Sequence, residues 1–152
     1  MDDPSRYCTF RLGEAVYALD VQGIQEVLRG CEWSAVPLAP PSVLGLMNLR
    51  GQIVTVVDLA VQLGLGARER SALAGAPSVQ IVLSCARPPV CLAVDEVGDV
   101  VELSAASLLA PPATLDERAR ARVRGLHWSD RGLITLLETS ALLEDFLEPT
   151  IR

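Results

Sequence analysis

A mainly β fold, two small five-stranded barrel lobes packed through a hydrophobic interface with a few short helices, is predicted by three features. Short apolar runs recur along the chain with turn residues between them. Neighbouring runs are joined by tight glycine-containing turns. The whole pattern also occurs twice, as an internal repeat. The 152 residues, half of them hydrophobic and 21% charged, are enough for one domain or two associated lobes with a real core. A mean hydropathy of +0.33 fits either two intertwined cores or exposed apolar docking surfaces.

In chain order, the apolar runs predict strands at Cys8–Leu12, Ala15–Leu19, Leu46–Leu49, Ile53–Val57 and Val79–Ser84. Further strands are expected at Val90–Val94, Val97–Leu103, Arg124–His127 and Leu133–Leu137. Gly13-Glu14 and Arg50-Gly51 supply tight hairpin turns. Apolar residues at helical spacing predict short helices at Val21–Leu28, Leu59–Leu63 and Thr139–Phe146. Gly64–Pro77 reads as a connecting loop and Ser104–Ala121 as irregular. Residues 1–6 and 148–152 are expected to be flexible ends.

A shift of 80 positions lays Val43-Leu44-Gly45-Leu46 over Val123-Arg124-Gly125-Leu126, Thr55 over Thr135 and Asp58 over Glu138. A shift of 75 lays Ala18-Leu19-Asp20 over Ala93-Val94-Asp95, Gly23 over Gly98 and Ala35-Val36-Pro37 over Ala110-Pro111-Pro112. Two copies are too few for a solenoid, so two closed barrels are expected. The approximate lobes are 7–70 and 78–147, an arrangement that allows strands to be exchanged between them. Barrels this small are marginal alone, so burial between the lobes is expected to carry much of the stability.

Agreement between the halves points to structure. Gly45 and Gly125 imply a shared backbone constraint, and Asp58 and Glu138 imply capping of short helices. Disagreement leaves room for function: Arg50 falls opposite Asp130, Gly51 opposite Arg131 and Glu26 opposite Val101. An arginine at a hairpin tip presents a planar five-donor fork suited to carboxylates or carbonyls, and Glu26 is placed to orient it. Val27, Val36, Leu46 and Leu49 supply apolar surface near this charged anchor, the anatomy of a protein–protein hot spot able to take an amphipathic helix.

Other chemistries find little support. The chain contains no lysine, so phosphate-cradling and Schiff-base mechanisms lack their usual cation. Gly64-Leu65-Gly66 is not a dinucleotide fingerprint, and the single histidine, His127, near Ser129, makes no triad by sequence alone. Cys8, Cys31, Cys85 and Cys91 lack zinc-ligand spacing and are expected as buried, reduced thiols; no metal, cofactor or catalytic residue is expected. The net charge of −6 disfavours nucleic acid, and the basic run Arg118, Arg120, Arg122, Arg124 reads as a solvated helix face or loop. Prolines 37, 40 and 41 interrupt the longest uncharged stretch, so no direct membrane insertion is expected, and without a signal-peptide pattern the expected location is cytoplasmic.

One series of segments runs Phe10-Arg11-Leu12-Gly13, Tyr17-Ala18-Leu19-Asp20-Val21, Ile24-Gln25-Glu26-Val27, Val36-Pro37, and Val43-Leu44-Gly45-Leu46-Met47-Asn48-Leu49-Arg50-Gly51. It continues through Ile53–Leu59, Leu92–Val97, Val123–Leu126 and Leu133–Glu138. In these segments the chain resembles the CheW family of bacterial chemosensory coupling proteins, over about residues 7–147 as one CheW-like domain. The resemblance implies two SH3-like barrels and a non-enzymatic adaptor joining the histidine kinase CheA to the cytoplasmic tips of methyl-accepting chemoreceptors, in arrays with other CheW copies. It links Glu26, Gly45 and Arg50 to receptor coupling, and assigns the kinase's regulatory domain to barrel ends. Cys31 and Cys91 depart from the expected pattern, and His127–Arg131 forms a turn able to tune partner choice. With no kinase, receiver or phosphotransfer module in the sequence, a coupling protein is expected and not CheA or CheV. The output served is flagellar chemotaxis, type IV pilus motility or another response; a small-ligand-binding or enzymatic β-domain is the alternative class.

Overall fold

The computed structural model of the chain describes residues 4–64, 79–84, 88–144 and 146. Among them lie β1 (Ser5–Leu12), β2 (Ala15–Asp20), β3 (Ile24–Arg29), β4 (Val43–Leu49), β5 (Gln52–Asp58), β6 (Val79–Leu83), β7 (Val90–Val94), β8 (Glu96–Leu103), β9 (Val123–Ser129) and β10 (Gly132–Leu137). These form two five-stranded sheets, with orders β8-β1-β2-β10-β9 and β3-β6-β7-β5-β4. The expected loop Gly64–Pro77 falls, after Gly64, outside the described residues, as do Cys85 and residues 148–152. Ser5 and Arg6 belong to β1, because β8 extends far enough to pair with them.

Moving five strands along the chain converts one sheet order into the other: β1 becomes β6, and β8 becomes β3. Each sheet therefore takes the two opening strands of one sequence half and the three closing strands of the other. A cut into lobes 7–70 and 78–147 is not the cut that the sheets make. The halves meet at four pairs, the parallel β2 with β10 and β5 with β7 and the antiparallel β1 with β8 and β3 with β6. Parallel neighbours need a long crossover: the one from β2 to β10 runs through strands of the other lobe, and the one from β5 to β7 runs through β6 of the same sheet.

Three clusters of buried side chains follow from this exchange. Tyr7, Ala18, Leu103, Ile134 and Leu136 fill the first lobe. Met47, Val54, Val56, Val82, Cys91 and Ala93 fill the second. Between the lobes lie Phe10, Leu12, Leu19 and Leu137 from the first sheet against Val57, Ile81, Leu83, Leu92 and Val94 from the second, with Leu59 and Leu142 from short helices. Among the described residues this interface holds 14 buried ones against 5 and 6 in the two interiors, so the burial that stabilises the fold is concentrated between the lobes. β6 and β7 are buried along their whole length for the same reason: one face serves an interior and the other the interface.

Residues 21–28 do not form the expected helix. Val21–Gly23 is a single 3₁₀ turn, capped by Asp20 Oδ1 accepting from the Gln22 amide at 2.9 Å, and Ile24–Arg29 is β3. β3 half-buries alternate residues, and its ladder with β6 outweighs a local helical spacing that Gly23 already weakens. Conversely, Glu117–Arg122 is a helix within the stretch expected to be irregular. Asp116 caps it through the Ala119 amide at 2.8 Å, Glu117 sits in its first turn, and Arg120 and Arg122 sit in its last. The helices Leu59–Gln62 and Thr139–Glu144 stand where expected, each slightly shorter.

Leu38 is fully exposed and held at φ 62°, a left-handed conformation that costs a branched L-residue about 1–2 kcal/mol. Leu38→Asn is therefore expected to raise stability by about 0.5–1 kcal/mol, since asparagine tolerates this region. A denaturation midpoint that falls in this variant would contradict the strain.

The buried thiols also carry a pH signature. Burial pushes Cys8 upward, and it pushes Cys91 to about 12 with a smaller contribution from nearby Cys31. Cys31 itself is only partly buried, against the expectation for it. A thiol raised on folding stabilises fully below its unfolded pKa near 9.0 and loses that contribution as pH rises toward about 12. In this window Cys91 alone contributes a decline approaching about 1.4 kcal/mol per pH unit. Cys91→Ala should flatten the alkaline branch of a pH–stability curve; an unchanged slope would show that Cys91 does not carry it.

Candidate functional site

The two lobes close in the same way and differ at one end. β3 and β4 are the outer strands of the second sheet, and the link between them returns to make an isolated bridge, Ser34 with Leu46. The bridge carries both amide-to-carbonyl bonds at 2.9 Å. The first lobe repeats it as Leu109 with Leu126, with both bonds at 2.8 Å. These pairs are related by the sequence shifts of 75 and 80. Gly45 and Gly125 sit next to the bridges, and both are buried. A Cβ at Gly45 would lie 2.2 Å from the Ser34 carbonyl oxygen, so only glycine lets this backbone come so close. The constraint on Gly45 is this approach, and no positive φ is involved.

The difference is at the hairpin tips. β4 and β5 are joined by the two-residue turn Arg50-Gly51, with φ of 52° and 87°, the doubly left-handed geometry that matches strand twist. Arginine is not favoured in such a turn, where Asn, Asp and Gly dominate, so the turn carries a local cost at Arg50. Its fork reaches to Glu26 on β3: Nη2 donates to Oε1 at 2.6 Å and also to Oε2, and Nη1 donates to Oε1 at 3.3 Å. The pair thus joins the β4–β5 tip to the opposite outer strand and spans the seam of the barrel. Arg50 remains 62% exposed while Glu26 is 25% exposed. An ion pair this wet contributes only about 0–1 kcal/mol to stability; its effect is to hold the guanidinium in one place.

The other expected residues divide between this end and the core. Glu26 lies opposite Val82 and Val27 opposite Ile81, so the two side chains point to opposite faces of β3. The expected helix would not have separated them in this way. Leu49 packs against the interior of the second lobe. Gly51 completes the turn, and Val27, Val36 and Leu46 are each about one-third exposed. Leu46, Asn48, Ile53 and Thr55 share one face of the β4–β5 hairpin, because residues opposite in register lie on the same side. Ile53, more than half exposed, was not among the expected residues, although its place two positions past the tip, alternating with buried Val54 and Val56, is readable.

At the corresponding end of the first lobe, Val101 stands at the place of Glu26 and lines an open groove of about 560 Å³ with Thr9, Val97, Asp99, Arg131 and Leu133. Arg11 pairs with Glu96 beside it, and Asp95 Oδ2 accepts from the Gly13 amide at 2.6 Å, capping the β1–β2 turn. Trp128 is the largest exposed apolar side chain of this lobe and faces Leu133 across the β9–β10 ladder.

The basic run is partly structural. Arg122 donates to the Gln62 carbonyl at 2.9 Å, and Arg124 donates to both oxygens of Glu138 at 3.2 Å and to Asp20 at 3.1 Å. The Glu138 hydrogen bonds hold the Arg124 guanidinium above its ordinary range against the opposing effect of burial. Asp58 caps the helix after β5 through the Val61 amide at 3.5 Å, as expected. Glu138, its repeat partner, puts its carboxylate on Arg124 instead, because position 124 is arginine where position 44 is leucine. Among the described residues no helix is long and apolar enough to cross a membrane.

Comparison with known proteins agrees with this geometry. The crystal structure of the scaffolding protein TtCheW from Thermoanaerobacter tengcongensis is similar with a TM-score of 0.75 and 29% identity, over 90% of each chain. The probable chemotaxis protein CheW of Rhizobium etli is 29% identical, over 90% of this chain and 85% of its own. The chemotaxis protein CheW of Rhizobium meliloti is 28% identical, over 88% and 83% respectively. The family model for the CheW-like domain matches residues 6–146, nearly the whole of the two exchanged lobes. The chain belongs to the CheW-like domain family.

Proposed function

We propose that this protein is a non-enzymatic adaptor of a bacterial chemosensory array, coupling methyl-accepting chemoreceptors to the histidine kinase CheA. Its relatives are chemotaxis and scaffolding proteins, which supports the class. The observation that carries the site is Arg50: exposed, held at a left-handed φ, and clamped by Glu26 at the seam of the second lobe. A preset fork of this kind suits a carboxylate or a row of carbonyls on a receptor helix, with Leu46 and Ile53 as adjoining apolar contacts. Gly45 serves the same end indirectly, by closing the barrel that carries the turn. The kinase's regulatory domain, itself CheW-like, is assigned to barrel ends, and the working location is the cytoplasmic face of receptor arrays.

The test is co-sedimentation of the full chain with membranes or nanodiscs carrying a receptor from the same organism, with and without CheA. Pelleting with receptor, and stimulation of CheA autophosphorylation in the ternary mixture, is the expected result. Failure of both, together with a small ligand that raises the melting temperature through the first-lobe groove, would replace the adaptor reading with a ligand-binding one.

A further inference from the structure

Resting on the reading of Arg50 as the receptor contact, we propose that Asn48 is the positioning residue that sets the Arg50 turn. In a two-residue hairpin the amide of the second tip residue has no ladder partner, and at an exposed tip it turns to water unless a side chain accepts from it. Here Asn48 Oδ1 accepts from the Gly51 amide at 2.8 Å. That bond satisfies the orphan donor and ties the tip back to β4, holding Arg50 at φ 52° and Gly51 at φ 87°. Backbone and side chain of Arg50 are then restrained from two sides, by Asn48 below and Glu26 across the seam.

The second copy of the hairpin, in the first lobe, acts as an internal control. The repeat places Trp128 where Asn48 stands, with the same strands on either side. That tip, Asp130-Arg131, has no left-handed residue of its own; Gly132 takes the positive φ, at 115°. Ser129 makes the local bonds there, donating to the Gly132 carbonyl at 2.8 Å and accepting from the Arg131 amide at 3.2 Å. The barrel therefore does not impose the left-handed turn. The residue at position 48 selects it, and selects the direction in which the arginine leaves the hairpin.

The experiment uses the full ¹⁵N-labelled chain with Asn48→Ala and Asn48→Asp, each alone and with Arg50→Ala, a soluble receptor signalling fragment as probe, and Gly51 amide hydrogen exchange as the local readout. Asn48→Ala is expected to speed Gly51 exchange and weaken receptor binding about three- to tenfold, the worth of one hydrogen bond, with the melting curve nearly unchanged. Asn48→Asp, which keeps the acceptor, should restore both. In the Arg50→Ala background Asn48→Ala should cause no further loss of binding. A Gly51 amide equally protected in Asn48→Ala overturns the positioning role alone. A full loss persisting in the Arg50→Ala background also overturns it, since Asn48 would then touch the receptor itself. Wild-type binding by Arg50→Ala would overturn the receptor reading of Arg50 and the proposal with it.

Discussion

Gly45→Ala should be among the most destabilising single-methyl additions in this protein, lowering stability by about 3 kcal/mol or more. The added Cβ would lie 2.2 Å from the Ser34 carbonyl oxygen and 2.7 Å from its carbon, and backbone atoms cannot swing aside as a side chain can. Relief requires opening the Ser34–Leu46 bridge, which costs both of its hydrogen bonds and frees the link between β3 and β4. Against a total stability of about 5–15 kcal/mol for a domain, such a loss threatens folding at ordinary temperature. Gly125→Ala is the matched control. There the nearest atoms are Leu108 Cβ at 3.0 Å and Cδ1 at 3.2 Å, with the Leu109 carbonyl oxygen at 3.4 Å; these contacts are relieved by shifts of a few tenths of an ångström, so a smaller cost of about 1–2 kcal/mol is expected. Chemical denaturation of the two variants side by side checks the order. Equal midpoints would mean that the Ser34 approach is not the constraint.

Arg50→Glu should abolish receptor coupling, weakening binding more than about tenfold, while changing stability by no more than about 1 kcal/mol. The side chain is mostly exposed, and its ion pair with Glu26 contributes little to folding, so reversal removes the contact without removing core. Arg50→Gly sharpens the prediction: glycine relieves the cost of φ 52°, so this variant should be as stable as wild type or up to about 1 kcal/mol more stable, yet bind poorly. A stabilised, non-coupling protein separates function from fold in a way that a destabilised one cannot. Retained receptor binding in Arg50→Glu would remove this residue from the interface, and a melting temperature lowered by many degrees would make it structural.

Much of the architecture was legible because strand alternation is a local property. Nine strand positions, the tips at Gly13-Glu14 and Arg50-Gly51, and the equivalence of Gly45 with Gly125 can be read from period and repeat alone. β3 was not legible as a strand, because Val21, Ile24 and Leu28 also satisfy a helical spacing. Only the edge offered by β6 decides between them. The helix Glu117–Arg122 carries its signal in the sequence, an aspartate cap before alternating alanine and arginine, but alternating charges fit a solvated loop equally well. Glu26 stands out by its difference from Val101, a comparison that holds in either secondary structure.

The sequence by itself determined that the chain is mainly β, that it is built twice, and that Arg50 and Glu26 are what the second copy lacks. These follow from short-range chemistry: side-chain alternation, turn preferences and pairwise comparison of the halves. Only the tertiary structure decided which strands share a sheet, and hence that the largest buried cluster lies between the lobes and not inside either one. It also decided why Gly45 must be glycine, since the Ser34 carbonyl that crowds it is brought there by barrel closure. Long-range pairing is chosen by the total burial it achieves, and no window of residues contains that sum.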